Sequence, residues 1–160
     1  MLESQPLDLP EIQSLDLEEI LAAKAAAAFE SVGRPVVVEE TGLELAALNG
    51  FPGPLIRWML EAIGPEGIAR TALALGDRRA RAVCALAWTD GDDTVIGRGS
   101  TAGELVLPAR GENGFGWDPV FRPQGGRRTY GEMSAAEKDQ IGHRGRAWRD
   151  LLARLVAGMA

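Results

Sequence analysis

Cysteine is almost missing from this sequence. The single one, Cys84, excludes an intrachain disulfide and any zinc site built on several cysteines. No apolar run approaches the roughly 18 residues that a membrane span needs. The N-terminus is acidic where a signal peptide would be basic, so neither a membrane partner nor export is expected and the reading is cytoplasmic. A Walker A loop, an HExxH helix and a Ser-His-Asp set are absent too. A net charge of -6 at pH 7 argues against a general nucleic-acid binder.

What is present suits one domain spanning residues 1–160, since 46% of the chain is apolar and can fill a core. The charge is unevenly spread. Residues 1–50 carry ten acids against Lys24 and Arg34, whereas residues 108–160 carry nine Lys or Arg against six acids. Acids that hold a metal ion facing bases that hold a polyanion would give this asymmetry, and so would an ordinary mixed surface.

The densest signal lies between Arg110 and Phe121, where three glycines alternate with Phe115, Trp117 and Asp118. A loop that only had to turn would use small polar residues rather than large aromatics. Two readings stand: a recognition loop whose aromatic faces stack on a planar base while Asp118 accepts hydrogen bonds from its edge, or a buried corner plugged by aromatics.

Along the chain, Asp16 with Glu19 resembles a capping box, alanines follow and Gly33 marks a stop. This predicts a helix from Ser14 to Gly33 with the apolar stripe Leu17, Ile20, Leu21, Ala25, Ala28. Lys24 falls inside the stripe, where it either snorkels or brings its ammonium to an anion at the edge of the core. Pro35-Val36-Val37-Val38 predicts a buried strand ending at Glu39-Glu40-Thr41-Gly42. Ligands of open α/β sheets gather at such carboxyl ends, and alternation allows at most one of the two glutamates to serve the cleft. A solvated acidic pair opening a turn is the other reading.

Asn49 to Pro54 forms a turn cluster, followed by a helix from Leu55 to Ile63 stopped by Gly64 and a second from Pro65 to Leu75. Arg57, near the first N-terminus, is either a phosphate contact or solvated. Ala80 to Trp88 and Thr94 to Ile96 predict a hairpin, whose turn acids lack a calcium-loop pattern. Gly97 to Ala102 imitates a dinucleotide fingerprint without the helix that should follow. Ser134 with Glu137 starts another helix, and Gly142 interrupts it before the run Ala147, Trp148, Leu151, Leu152, Leu155. Lys138, His143 and Arg144 crowd that break, where the lone histidine serves either structure or a site.

Taken together, Val38-Glu39-Glu40-Thr41-Gly42-Leu43, Phe51-Pro52-Gly53-Pro54, Gly111 to Phe121, and Ala136-Glu137-Lys138 followed by His143-Arg144 resemble the inosine/xanthosine triphosphate pyrophosphatase (Ham1-like) family in order and spacing. The resemblance spans nearly the whole chain. It implies an α/β fold with a long mixed sheet flanked by helices and two lobes around a central cleft, in a homodimer. The implied reaction is Mg²⁺-dependent hydrolysis of ITP, dITP and XTP to the monophosphate and pyrophosphate. Glu11 and Glu40 would then hold the metal, with Glu40 also catalytic, and Lys24 and Arg57 would contact phosphates. Phe115 would stack on the base, and Trp117, Asp118, Lys138, His143 and Arg144 would line its pocket.

Three departures from the family pattern are visible. The usual N-terminal strand with its Gly-Asn-x-x-Lys motif precedes the point where this chain starts, so the chain reads as shortened, with its start truncated or misassigned, or as having lost part of its function. Glu40 stands where the family has Asp, and an ångström of misplacement can cost on the order of a hundredfold in rate. Gly142 replaces a serine. These leave a second expectation, a degenerate member that binds nucleotide or a partner with little hydrolysis.

Overall fold

The computed structural model describes residues 3–158. In chain order it contains α1 (Leu17–Val32), β1 (Val36–Leu45), β2 (Pro52–Gly53), α2 (Ile56–Ala74), β3 (Arg79–Thr89), β4 (Thr94–Leu105), β5 (Phe121–Pro123), α3 (Ala135–Ile141) and α4 (His143–Gly158). The five strands form one sheet in the order β2-β1-β3-β4-β5. The α/β class agrees with expectation, but every pairing among the described residues is antiparallel where a mixed sheet was expected.

The elements follow from local chemistry. Asp16 caps α1 by accepting the amide of Glu18, alanine-rich sequence carries the helix, and Gly33 ends it with φ 67°. Ile20, Leu21, Ala25 and Ala28 are buried, as the stripe requires. Gly64, at φ 67° and ψ 174°, breaks α2 ahead of Pro65, so the two expected helices are present as two halves of one element. The β3–β4 hairpin closes at Thr89 and Thr94. Asp90 caps its turn by accepting the amides of Asp92 and Asp93, which gives those acids a turn role.

One expectation needs correction. The strand does not end at Glu39-Glu40 but runs on to Leu45, paired with β3 from Val36↔Thr89 to Leu45↔Ala80. The β-branched run was a poor guide to length because β3 offers an unbroken antiparallel ladder of ten paired positions, from Val36↔Thr89 to Leu45↔Ala80. The acidic pair therefore sits in mid-strand. On its other edge β1 pairs only at Leu43 and Glu44, with β2, among the described residues.

Packing divides into two ends. At one end α1 covers one face of the sheet through Leu21, Ala25 and Ala28 against Val38, Ala85 and Ala87. There α4 covers the opposite face through Ala147 and Leu151 against Cys84 and Leu86. At the other end a larger cluster joins Leu43, Leu45, Ile68, Leu105, Trp117, Phe121 and Tyr130. Fully burying one Leu or Phe of this kind is worth about 1.5–3 kcal/mol.

Helix α4 lies directly on β4 because Gly97 and Gly99 have no side chains. A Cβ on Gly99 would lie well inside van der Waals distance of the His143 carbonyl and the Ala147 nitrogen. This pattern, and no nucleotide fingerprint, explains the glycines of 97–102. We expect Gly99→Ala to cost about 1–3 kcal/mol through overpacking, measured by urea denaturation. Gly158→Ala, where a Cβ meets nothing, should stay within about 0.5 kcal/mol of wild type.

Candidate active site

One end of the site forms where α1 crosses β1. Lys24 reaches Glu40 at 2.6 Å and Glu11 at 3.3 Å, and donates to the main-chain oxygen of Glu39 at 3.4 Å. Arg57 lies 3.9 Å from the other carboxylate oxygen of Glu11 and is anchored by Glu61 at 2.9 Å. Lys24 thus reaches an anion, as the second of its two readings required, and that anion is Glu40. Burial works to lower the Lys24 pKa, but the hydrogen bonds and charges of Glu40 and Glu11 outweigh it and leave it raised. A trough of about 970 Å³ runs from this cluster along the open edge of β1.

The other end forms between the glycine loop and the α3–α4 junction. Asp118, 2% exposed, accepts the amide of Phe115 at 2.9 Å and the ammonium of Lys138. The loop folds over this carboxylate, and Gly114, with φ 76°, passes so close that a Cβ there would strike Asp118. Phe115 is 63% exposed, with Lys138 Nζ 5.0 Å and the Arg144 guanidinium carbon 5.5 Å from its ring centre. Trp117 belongs to the core, edge-on to Phe121 at 5.4 Å, while its ring also lies 5.5 Å from that of His143. The two readings of the loop are divided between its aromatics: Trp117 plugs the corner and Phe115 stays free. A cavity of about 180 Å³ is lined by Thr41, Phe115, Trp117, Lys138, His143 and Arg144.

The capping box at Ser134 and Glu137 starts α3 as expected, and Gly142 ends it, so His143 and Arg144 open α4 facing the loop. His143 is 5% exposed, and its Nδ1 has no hydrogen-bond partner among the described residues. Burial, and then the charges of Lys138 and Arg144, push its pKa down to about 3. It is a neutral imidazole at physiological pH.

The residue that sequence reasoning passed over is Glu39. It meets Arg144 through three contacts of 2.6 to 3.0 Å. The signal was the strand period itself, which sends Glu39 to the face opposite Glu40. Thr41 also borders both ends of the site, and Tyr130 packs its ring 5.9 Å from His143.

With this geometry in place, the sequence profile of the Ham1 family matches residues 2–154. The chain belongs to the Ham1 family. It is 47% identical over 146 residues to a curated inosine triphosphate pyrophosphatase of Podospora anserina, covering 90% of this chain and 76% of that protein. Its fold is similar to that of the Staphylococcus aureus Ham1 protein, with TM-score 0.80, 34% identity and coverage of 96% of this chain and 82% of that one. It is also similar to a nucleoside-triphosphatase / dITP/XTP pyrophosphatase from Mycobacterium abscessus, with TM-score 0.70, 32% identity and coverage of 93% and 82%.

In this Ham1 family member the acidic end can be tested against a divalent cation. No group of three or more His, Cys, Asp or Glu converges among the described residues, so there is no all-protein cage. Two carboxylates do converge on one cation, because Glu11 and Glu40 both reach the Lys24 ammonium. Such a pair fits Mg²⁺, which usually takes one or two carboxylates and completes its shell with substrate phosphates and water.

The buried histidine gives a pH test. The unfolded chain binds a proton at His143 below its ordinary value of 6.5, and the folded chain does not until about 3. Stability should therefore fall as pH falls between 6.5 and 3, by up to about 1.4 kcal/mol per pH unit from this group. We expect His143→Gln to lack that increment in urea titrations from pH 7 to pH 4. Parallel curves for the two proteins would show that His143 is not held neutral.

Proposed function

We propose that this protein hydrolyses non-standard purine nucleoside triphosphates, ITP, dITP and XTP, to the nucleoside monophosphate and pyrophosphate. The observation that carries the reading is the pairing of two differently built ends of one site. Lys24 and Arg57 lie beside Glu11 and Glu40 at one end, and an exposed Phe115 flanked by cations lies at the other. The relatives' named activities agree with it.

In this reading the base stacks on Phe115, against the wall formed by Trp117. O6 of hypoxanthine or xanthine accepts hydrogen bonds where adenine presents an amino donor, so the donors Lys138, Arg144 and neutral His143 favour the oxo bases. Asp118 supplies the complementary acceptor. Its Oδ2 is taken by Phe115 and Lys138, leaving Oδ1 for the N1–H that hypoxanthine carries and adenine lacks.

At the other end Lys24 and Arg57 contact the phosphates, and Glu11 and Glu40 would hold Mg²⁺. When bound, the metal would neutralise polyphosphate charge and lower the pKa of a nearby water. Glu40 orients the water that attacks the α-phosphorus and accepts its proton, and the α–β phosphoanhydride bond breaks to release pyrophosphate. Residues 1–160 act as one nucleotide-handling domain in the cytoplasm. No helix among the described residues is long and apolar enough to cross a membrane.

Pyrophosphate release from ITP, XTP, dITP, ATP and GTP, with Mg²⁺ and with EDTA, tests the reading. We expect turnover of ITP, dITP and XTP only with metal, and a loss of at least about a hundredfold in kcat for Glu40→Gln. Absence of metal-dependent turnover on every substrate would sink the reading, and full activity of Glu40→Gln would remove Glu40 from the chemistry.

We further infer a homodimer, supported by the family resemblance and by exposed apolar side chains at Ile12, Phe51 and Trp58. Sedimentation equilibrium at micromolar concentration should return twice the chain mass, and a single-chain mass would refute it.

A further inference from the structure

Glu39 has no part in the chemistry described so far, yet it is bound more closely into the site than Glu11. Arg144 Nε lies 3.0 and 2.9 Å from its two carboxylate oxygens, and one terminal nitrogen lies 2.6 Å from the first. Among the described residues these are the only hydrogen bonds made by the Arg144 side chain. A planar guanidinium gripped this way has one orientation, and here it stands 5.5 Å from the centre of the Phe115 ring. The main-chain oxygen of Glu39 accepts from Lys24 at 3.4 Å, on the opposite face of the sheet from Arg144. Glu39 lines the trough beside Lys24 and Arg57, whereas Arg144 lines the small cavity beside Phe115. The ion pair therefore spans the border between the two ends.

We propose that Glu39 is the positioning residue of the base-binding end, fixing the Arg144 guanidinium over Phe115 and tying its placement to that of Lys24. It acts through Arg144 and is not a catalytic residue. A carboxamide cannot reproduce the ionic grip, whereas aspartate keeps the charge with a shorter reach.

The inference rests on the pyrophosphatase reading, so wild-type turnover is the first measurement. Steady-state kinetics on ITP should show Glu39→Gln raising KM about tenfold or more through loss of a charge-assisted pair, with kcat changed less than about threefold. Glu39→Asp should recover part of that loss. Glu39→Gln added to Arg144→Gln should cost little beyond Arg144→Gln alone, because the two act as one unit. Additive losses, or a fall in kcat at constant KM, would overturn the proposal. A thermal midpoint within about 5 °C of wild type shows that the fold survives, and Glu39→Asp replaces Glu39→Gln in the cycle if it does not.

If the wild type releases no pyrophosphate from any purine triphosphate, the functional reading fails and two further measurements decide Glu39 alone. The Arg144 Nε–H resonance should exchange slowly with solvent in wild type and rapidly in Glu39→Gln. ITP affinity, followed by tryptophan fluorescence in EDTA, should fall by a similar tenfold or more. Unchanged exchange, or unchanged affinity, would overturn the proposal.

Discussion

Successive side chains of a β-strand leave opposite faces of the sheet, and at Glu39-Glu40 that rule determines the layout of the site. Val38 packs under α1 and Val37 under α4, so Glu40 continues toward α1 and Glu39 toward α4. Each carboxylate meets a cation from the helix on its own face, Lys24 in one case and Arg144 in the other. Two adjacent residues of one strand thus register two helices that do not touch each other's faces. The candidate phosphate end and base end lie on the two sides of that dipeptide. A one-residue slip of β1 against β3 would exchange the partners and dismantle both ends at once.

Burial explains why the cations come in pairs. Lys24, Lys138 and Arg144 all sit partly out of water, where an isolated charge is costly, and each has a carboxylate: Glu40, Asp118 and Glu39 respectively. The cost of desolvating both partners offsets much of the attraction within these pairs, so they do not count as large stabilising terms. Their effect is to hold three cationic donors in fixed positions against the strand and the loop. His143 is the exception that follows the same physics. With Lys138 and Arg144 nearby and no carboxylate of its own, it lowers its free energy by staying neutral.

The sequence exposed what local chemistry controls. The α1 stripe, the break at Gly64, the hairpin about Asp90 and the capping box at Ser134 were all readable because caps, turn residues and helical periodicity act over a few residues. The length and antiparallel pairing of β1 were not, since both are set by β3, some forty residues away. The same division runs through the site. That Lys24 ends on an anion could be suspected from its place in an apolar stripe, but that the anion is Glu40 depends on how α1 crosses β1. Glu39 was visible as half of an acidic pair. Its partner Arg144, 105 residues away in sequence, was not.

The loop between Arg110 and Phe121 shows how one carboxylate can shape an exposed surface. Asp118 is almost fully buried, and a buried carboxylate must find donors; it takes the Phe115 amide and the Lys138 ammonium. Those two bonds pull the chain into a turn tight enough that only glycine fits at position 114. The turn in turn leaves Phe115 facing out while Trp117 faces in. An exposed phenyl ring is an unfavourable feature in an unliganded protein, since burying it would gain about 1.5–3 kcal/mol. The loop cannot relax toward that gain without breaking the Asp118 bonds, at greater cost to a buried charge. Phe115 is thus held exposed by the same group that holds Lys138 beside it.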